Sequence, residues 1–269
     1  MRHLRFFTFL ILLLPVCFAC QKSKSGITVA GSTSVQPFAE LLAEEYMTCH
    51  PETRIYVQGG GSSAGIEAVR THAAQIGMSS RSLTGEERCL NAVTIAKDAI
   101  AVIVHPDNPV RDLSLEQVRQ IFAGKEKSWH EVNGKRDPFV LVTREEGSGT
   151  REAFQKLVMG EKEMSMECLV QDSNGAIRQV VASDPRAIGY ISLGLVDASV
   201  RAVNISGVEP NTKNIGNGSY TLVRPFLFVF SCEPVGPDQA FLKFVLSPSG
   251  QALLCREGLV SVTPAKQQL

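Results

Sequence analysis

Val140-Leu141-Val142-Thr143-Arg144-Glu145-Glu146-Gly147-Ser148-Gly149-Thr150 passes from strand-forming residues into a turn of small polar residues, and Phe154, Leu157 and Val158 then recur at helical spacing. The same succession occurs twice more. Ile27–Ala30 leads through Gly31-Ser32-Thr33-Ser34 to a helical face of Phe38, Leu41, Leu42 and Met47. Arg54–Val57 leads through Gly59-Gly60-Gly61-Ser62-Ser63-Ala64-Gly65 to Ile66, Val69 and Ala73. Strand, small-residue turn and helix in alternation predict an α/β fold with largely parallel sheets.

Further along, Ile76–Met78, Ala99–Val104 and Ala187–Ile191 read as strands, and Tyr220–Ser231 as β-rich. Leu115–Phe122, Ile177–Val181, Asp238–Leu246 and Gly250–Arg256 read as helices, and the polar, Gly-rich Asn204–Ser219 as a loop. Leu222–Phe230, interrupted by Arg224 and Pro225, is too short to span a bilayer and reads as a buried strand.

The three turns share one chemistry. A helix N-terminus leaves backbone N–H groups unpaired and carries about half a positive charge. Glycine lets an anion reach that backbone, and Ser and Thr add hydroxyl donors. Any single turn of this composition is explained by helix capping; three at strand ends point to an anion site outside the carboxyl edge of a sheet. Gly59–Gly65 lacks the lysine of a P-loop and is no dinucleotide fingerprint, which argues against ATP and NAD. Arg144 leads directly into one turn and offers a planar fork for two oxygens. Arg81 reads as a solvated or structural charge.

The chain has 269 residues, 44% of them hydrophobic, with 27 basic against 27 acidic. That fraction supports a packed core. The neutral balance argues against a nucleic-acid partner, which calls for a basic excess. Residues 1–19 read as a signal peptide: Arg2, His3 and Arg5 precede an apolar run, Phe6–Val16. Ala19 before Cys20 suits lipoprotein processing, with Cys20 lipidated, and residues 20–25 form a polar tether; plain secretory cleavage is the alternative. Seven cysteines, less Cys17 and Cys20, leave Cys49, Cys89, Cys168, Cys232 and Cys255, an odd set compatible with one or two disulfides of open connectivity. The histidines are scattered and no Cys/His cluster has zinc spacing, so no metal is expected. There is no Gly-x-Ser-x-Gly elbow, and His105 precedes Pro106 at a strand end, so no enzyme is expected.

Gly31-Ser32-Thr33-Ser34-Val35-Gln36-Pro37, Gly59–Gly65, Ile76-Gly77-Met78-Ser79-Ser80-Arg81, Thr143–Arg151 with its Arg-x-x-Gly-Ser-Gly-Thr motif, and Arg186-Ala187-Ile188-Gly189-Tyr190 together resemble the phosphate-binding proteins of bacterial phosphate ABC transporters. The resemblance runs from about Gly26 onward. It implies a two-lobed periplasmic-binding-protein (type II) fold, each lobe a mixed sheet flanked by helices, with lobe 1 at 26–101 plus 219–265 and lobe 2 at 102–218. It implies phosphate in the cleft, bound by Thr33 and Ser34 through hydroxyl and backbone N–H, by the Ser62 hydroxyl, by Ser80, by Arg144, and by Ser148, Gly149 and Thr150. No cofactor is implied; the partner is a membrane ABC permease, the protein a monomer, and its place periplasmic or cell-surface. Ser80 stands where well-known members carry an aspartate that accepts the phosphate proton. A carboxylate can only accept, whereas a hydroxyl accepts or donates, so discrimination against sulfate is what this departure touches. Asp98, Glu145 and Glu146 are candidates to compensate. A binder of sulfate, molybdate or a phosphonate, and an anchored phosphate sensor, are the other readings.

Overall fold

Three short strands open the described residues: β1 (Gly26–Gly31), β2 (Arg54–Gly59) and β3 (Ile76–Ser79). β1 lies between the other two and is parallel to both. The structure, a computed structural model, describes residues 26–130 and 138–262. The expected signal peptide and tether, with the expected lipidation site Cys20, lie outside the described residues.

Helix α1 (Gln36–Cys49) joins β1 to β2. Pro37 sits in its first turn, where a missing N–H costs no hydrogen bond. Phe38, Ala39, Leu42, Ala43 and Tyr46 form its buried face, with Leu41 and Met47 at the margin. Helix α2 (Ser62–Arg70) joins β2 to β3. It stops earlier than the apolar spacing suggests. The Thr71 hydroxyl donates back to the Glu67 carbonyl and His72 turns left-handed at φ 59°, which leaves Ala73 exposed and outside the helix. Gly65 permits close packing of α2 on β1, since a Cβ there would lie 2.4 Å from the Ala30 carbonyl oxygen.

β4 (Asn91–Val104) is the element that joins the molecule. Two short strands, β5 (Asp112–Leu113) and β10 (Asn204–Ile205), form a separate ribbon, and β9 (Arg201–Ala202) pairs with the end of β4. β6 (Val140–Arg144), β7 (Leu169–Gln171), β8 (Ala187–Ser192) and β11 (Val223–Phe230) complete the order β2-β1-β3-β11-β4-β8-β6-β7. Over Asn91–Ala99, β4 runs antiparallel to β11; from Ile100 to Val104 it runs antiparallel to β8. The Ile100 N–H still donates to the Leu222 carbonyl, at 2.8 Å, so two chain segments pass the changeover side by side.

The sheet is therefore mixed, not largely parallel as the alternation suggested. β11 returns antiparallel between β3 and β4, and no βαβ crossover feeds it. β4 also begins earlier than the Ala99–Val104 run, because Thr94, Lys97 and Asp98 break its apolar character. Along its second part the pleat splits the side chains. Ile100, Val102 and Val104 join a cluster with Phe122, Trp129, Phe154 and Tyr190; Ala101 and Ile103 face Val142, Ile177 and Val181. Beyond the changeover, Ile27, Val29, Leu42, Phe226, Phe228 and Phe241 form the core of the first half.

Among the described residues the remaining α-helices are α3 (Leu115–Phe122), α4 (Gly149–Phe154, continued by a wider turn over Gln155–Met159), α5 (Asn174–Ser183), α6 (Thr212–Gly216), α7 (Gly236–Val245) and α8 (Pro248–Arg256). α6, capped by the Asn211 side chain on the Asn214 N–H, and β10 lie in the stretch expected to be loop: local capping gives it structure without an apolar run. Cys49, Cys89, Cys168, Cys232 and Cys255 are all free thiols, so the disulfides allowed by their number are not formed. Among the described residues no helix is long and apolar enough to cross a membrane, and no cluster of three or more His, Cys, Asp or Glu could hold a metal ion.

Candidate functional site

The turns that follow β1, β2, β3 and β6 meet at the carboxyl ends of those strands. Gly61 N–H donates to the Gly31 carbonyl at 2.9 Å, and Ser63 N–H to the Gly147 carbonyl at 3.1 Å, so the turns of the two sheet halves touch. At Gly61 the backbone has φ 92°, a conformation glycine adopts without strain.

All of the expected site residues gather here. Ser34 Oγ lies 2.7 Å from Thr150 Oγ1. Arg144 Nη2 donates to Thr33 Oγ1 at 3.0 Å. Ser62 Oγ accepts from the Ser80 N–H at 3.1 Å and lies 3.4 Å from Ser80 Oγ, which in turn accepts from Ser32 Oγ at 2.9 Å. Gly149 faces this trio so closely that a Cβ would sit 2.2 Å from Ser62 Oγ. Ser148 caps α4, its hydroxyl accepting from the Arg151 N–H. Ser34, Ser62, Ser80, Arg144, Ser148 and Thr150 are each at most 1% exposed, and Thr33 is half-buried.

Arg144 is the central cation. Its Nε and Nη2 both donate to the Glu145 carboxylate at 2.8 Å, and Nη2 also reaches the Asp172 carbonyl at 3.0 Å. Nη1 is buried with no hydrogen-bond partner among the described residues. A buried, unpaired guanidinium N–H costs free energy that a ligand acceptor would recover. Glu145 is thus tied to Arg144, and Asp98 to Arg224 and Ser192, at 2.9 and 2.8 Å.

Arg224, Asn174 and Ser192 are the members that sequence reasoning passed over, and Asp98 stood there only as a candidate to compensate for Ser80. The available signal was a charge inside each of two buried strands: Arg224 within Leu222–Phe230 and Asp98 just before Ala99. The two are direct partners in the β4–β11 register. Burial raises the Asp98 carboxyl, against the pull of Arg224, Ser192 and the Ala99 N–H. Arg224 Nη1 reaches Thr150 Oγ1 at 2.8 Å, so a second arginine stands at the cluster.

Arg81 is structural, and buried rather than solvated. It donates to both oxygens of Glu87, at 2.6 and 2.8 Å, to Ser63 Oγ at 3.2 Å, and pairs with Glu152 at 2.7 Å. Glu152 lies on α4, so this pair spans the two sheet halves. A groove of about 580 Å³ opens beside it, lined by Arg81, Glu146, Arg151, Lys156 and Pro225 among others. Hydrogen bonds from Arg81 hold the Glu87 carboxyl down, to about 2. A depressed carboxylate contributes stability above its ordinary value near 4.5 and loses it as pH falls toward about 2. Glu87→Gln is expected to cost about 2–3 kcal/mol at pH 7, with the gap to wild type closing between pH 4.5 and 2. Urea unfolding across that range measures it; a gap independent of pH would refute the pairing.

A PBP superfamily domain matches residues 19–249. The phosphate-binding protein PstS of Bacillus subtilis strain 168 is 33% identical over 253 residues, covering 91% of this chain and 84% of that protein. The chain belongs to the PBP superfamily, among its phosphate-binding proteins. A crystal structure of a putative phosphate ABC transporter substrate-binding protein with bound phosphate, from Clostridium perfringens, is 42% identical, with a TM-score of 0.86 over 88% of this chain and 100% of that one. An ABC-type phosphate transport receptor from Vibrio cholerae is 37% identical, with a TM-score of 0.74 over 88% of this chain and 100% of that one. The resemblance carried by the four turns is thereby confirmed, and with it the two-lobed α/β fold of mixed sheet and flanking helices.

Proposed function

We propose that this protein captures inorganic phosphate reversibly between its lobes and delivers it to a membrane ABC permease, with no catalytic step. The observation that carries the reading is Arg144 Nη1, a buried donor without a partner, set among hydroxyls and helix N-termini drawn from both lobes. The relatives named for phosphate support it. We assign lobe 1 to 26–101 plus 219–265 and lobe 2 to 102–218, a division supported by the changeover of β4 from β11 to β8 near its boundary, at Ala99/Ile100. Thr33, Ser34 and Ser62 then act from lobe 1 and Arg144, Ser148, Gly149 and Thr150 from lobe 2, so the anion favours the closed arrangement.

The site's charges already cancel in pairs, Arg144 with Glu145 and Arg224 with Asp98. Beside the free Nη1 of Arg144, the anion's charge is therefore met by neutral donors and by the starts of α1, α2 and α4. Ser80 takes no carboxylate's part: its oxygen accepts from Ser32. Asp98 and Glu145 are held by arginines and Glu146 is exposed beside the groove, so a hydroxyl or a backbone carbonyl receives the proton of hydrogen phosphate. Export by residues 1–19 and a lipid on Cys20 would keep the monomer at the outer face of the membrane.

Calorimetric titration of the mature chain, freed of anion by unfolding and refolding, tests the reading. One-to-one phosphate binding with little or no sulfate signal is expected. Sulfate binding as tight or tighter would transfer the site to another oxyanion, and binding of neither would overturn it. Co-purification with a permease, as against a signalling partner, separates transport from an anchored sensor.

A further inference from the structure

The hydroxyls of Ser34 and Thr150 belong to a closed ring of hydrogen bonds. Arg224 Nη1 donates to Thr150 Oγ1 at 2.8 Å, and Thr150 Oγ1 lies 2.7 Å from Ser34 Oγ. Ser34 Oγ accepts from Asn174 Nδ2 at 2.8 Å. Asn174 Oδ1 accepts from the Ser192 N–H at 3.2 Å, and the Ser192 hydroxyl donates to Asp98 Oδ1 at 2.8 Å. Asp98 Oδ2 accepts from Arg224 Nε at 2.9 Å and closes the ring. Every member is at most 3% exposed.

Apart from the contact between the Ser34 and Thr150 hydroxyls, in which either can donate, the proton directions in this ring are determined. A backbone N–H only donates, so the atom of Asn174 facing Ser192 is its oxygen and the atom facing Ser34 is its nitrogen. A guanidinium also only donates. Ser34 and Thr150 each therefore receive one hydrogen bond from an obligate donor. They hold one hydroxyl proton apiece, and the contact between them uses one. Neither hydroxyl has another hydrogen-bond partner among the described residues. One proton of the pair is left over, next in the chain to Thr33, which holds Arg144, and to Gly149 at the start of α4.

We infer that Arg224, anchored on Asp98, is a positioning residue of the anion site: it commits the Thr150–Ser34 hydroxyl pair to present one proton to a bound oxyanion. This deepens the phosphate reading and rests on it. The device sits where the lobes join. Asp98 and Arg224 face each other on β4 and β11, two positions before Ile100 takes Ser192 of β8 as its partner. Thr150 comes from lobe 2, so closure and the orientation of its hydroxyl are one event. Without Arg224, Thr150 could turn its own oxygen lone pairs toward the anion, which repels them.

The test is phosphate titration calorimetry on Arg224→Lys, Thr150→Val and the combination of both, with circular dichroism and thermal melting to follow the fold. Lysine keeps the charge beside Asp98 but lacks the planar fork that holds two partners at once. Arg224→Lys is expected to weaken phosphate binding about tenfold to thirtyfold in the wild-type background and less than about threefold in Thr150→Val. A merely structural role would give the same loss in both backgrounds, and that result, or no loss at all, overturns the inference. The pair Asp98→Asn with Arg224→Gln removes both buried charges together and is expected to repeat the loss in a folded protein. If neither Arg224 variant folds, the arginine is a structural part of the strands and the positioning role is overturned. A wild type that binds no phosphate would defeat the site reading itself; wild-type binding with an unaffected Arg224→Lys would defeat this inference alone.

Discussion

Arg144→Met is expected to weaken phosphate binding roughly a thousandfold, equivalent to about 4 kcal/mol. The size follows from burial. Arg144 is 1% exposed, so its guanidinium meets an anion in a medium that screens little. Methionine keeps much of the volume, so the loss reports charge and donors rather than a cavity. It also leaves the Glu145 carboxylate, bonded to Arg144 at 2.8 Å in the wild type, without its cation and close to the anion. The double variant Arg144→Met with Glu145→Gln should therefore recover part of the affinity, about tenfold, and never the whole. Calorimetry of the three proteins measures this. Unchanged affinity in Arg144→Met would remove Arg144 from the site; a double variant weaker than the single one would show that Glu145 helps the anion rather than repels it.

The parts of this site that were legible in the sequence are the local ones. A glycine- and serine-rich turn between a strand and a helix is written in consecutive residues, and its physics, unpaired N–H groups at a helix start, needs no tertiary information. Arg144 was legible because it adjoins such a turn. Arg224 was not. It bonds Asp98 across 126 positions of chain, and inside an apolar run a charged residue reads only as an interruption. Asn174 and Ser192 look like ordinary cap and strand-end residues until the fold brings them beside Ser34 and Asp98. The same distinction governs the fold. Helix α3 follows from Ser114 and Gln117 capping each other, ahead of buried Val118, Ile121 and Phe122. The antiparallel placing of β11 follows from the return of the chain between the lobes, which no window of residues records. Whether Arg81 is solvated or structural is not legible in the sequence for a related reason: its partners Glu87 and Glu152 come from separate segments, and only their convergence buries it.

Gly149→Ala is expected to abolish tight binding, by at least about a hundredfold, while leaving the ligand-free protein as stable as before or slightly more so. Gly149 is the first residue of α4 and does not have a positive φ. Alanine therefore suits its backbone, and inside a helix the exchange from glycine to alanine is worth up to about 1 kcal/mol in favour of folding. The obstacle lies across the cleft. The added Cβ would stand 2.2 Å from Ser62 Oγ, 2.7 Å from Ser80 Oγ and 3.0 Å from Ser62 Cβ. Rotation of the Ser62 hydroxyl relieves the shortest contact but not the one to its Cβ, so the starts of α2 and α4 must separate by some tenths of an ångström. Charge-assisted hydrogen bonds to an anion held from both sides do not survive such a gap at full strength. Thermal melting without phosphate, calorimetry with it, and small-angle scattering in both states separate the two effects. The expected result is a normal melting temperature, a weakened isotherm, and a radius of gyration that phosphate no longer reduces. A variant that binds phosphate as tightly as wild type would mean that Gly149 and Ser62 do not approach this closely around the bound anion.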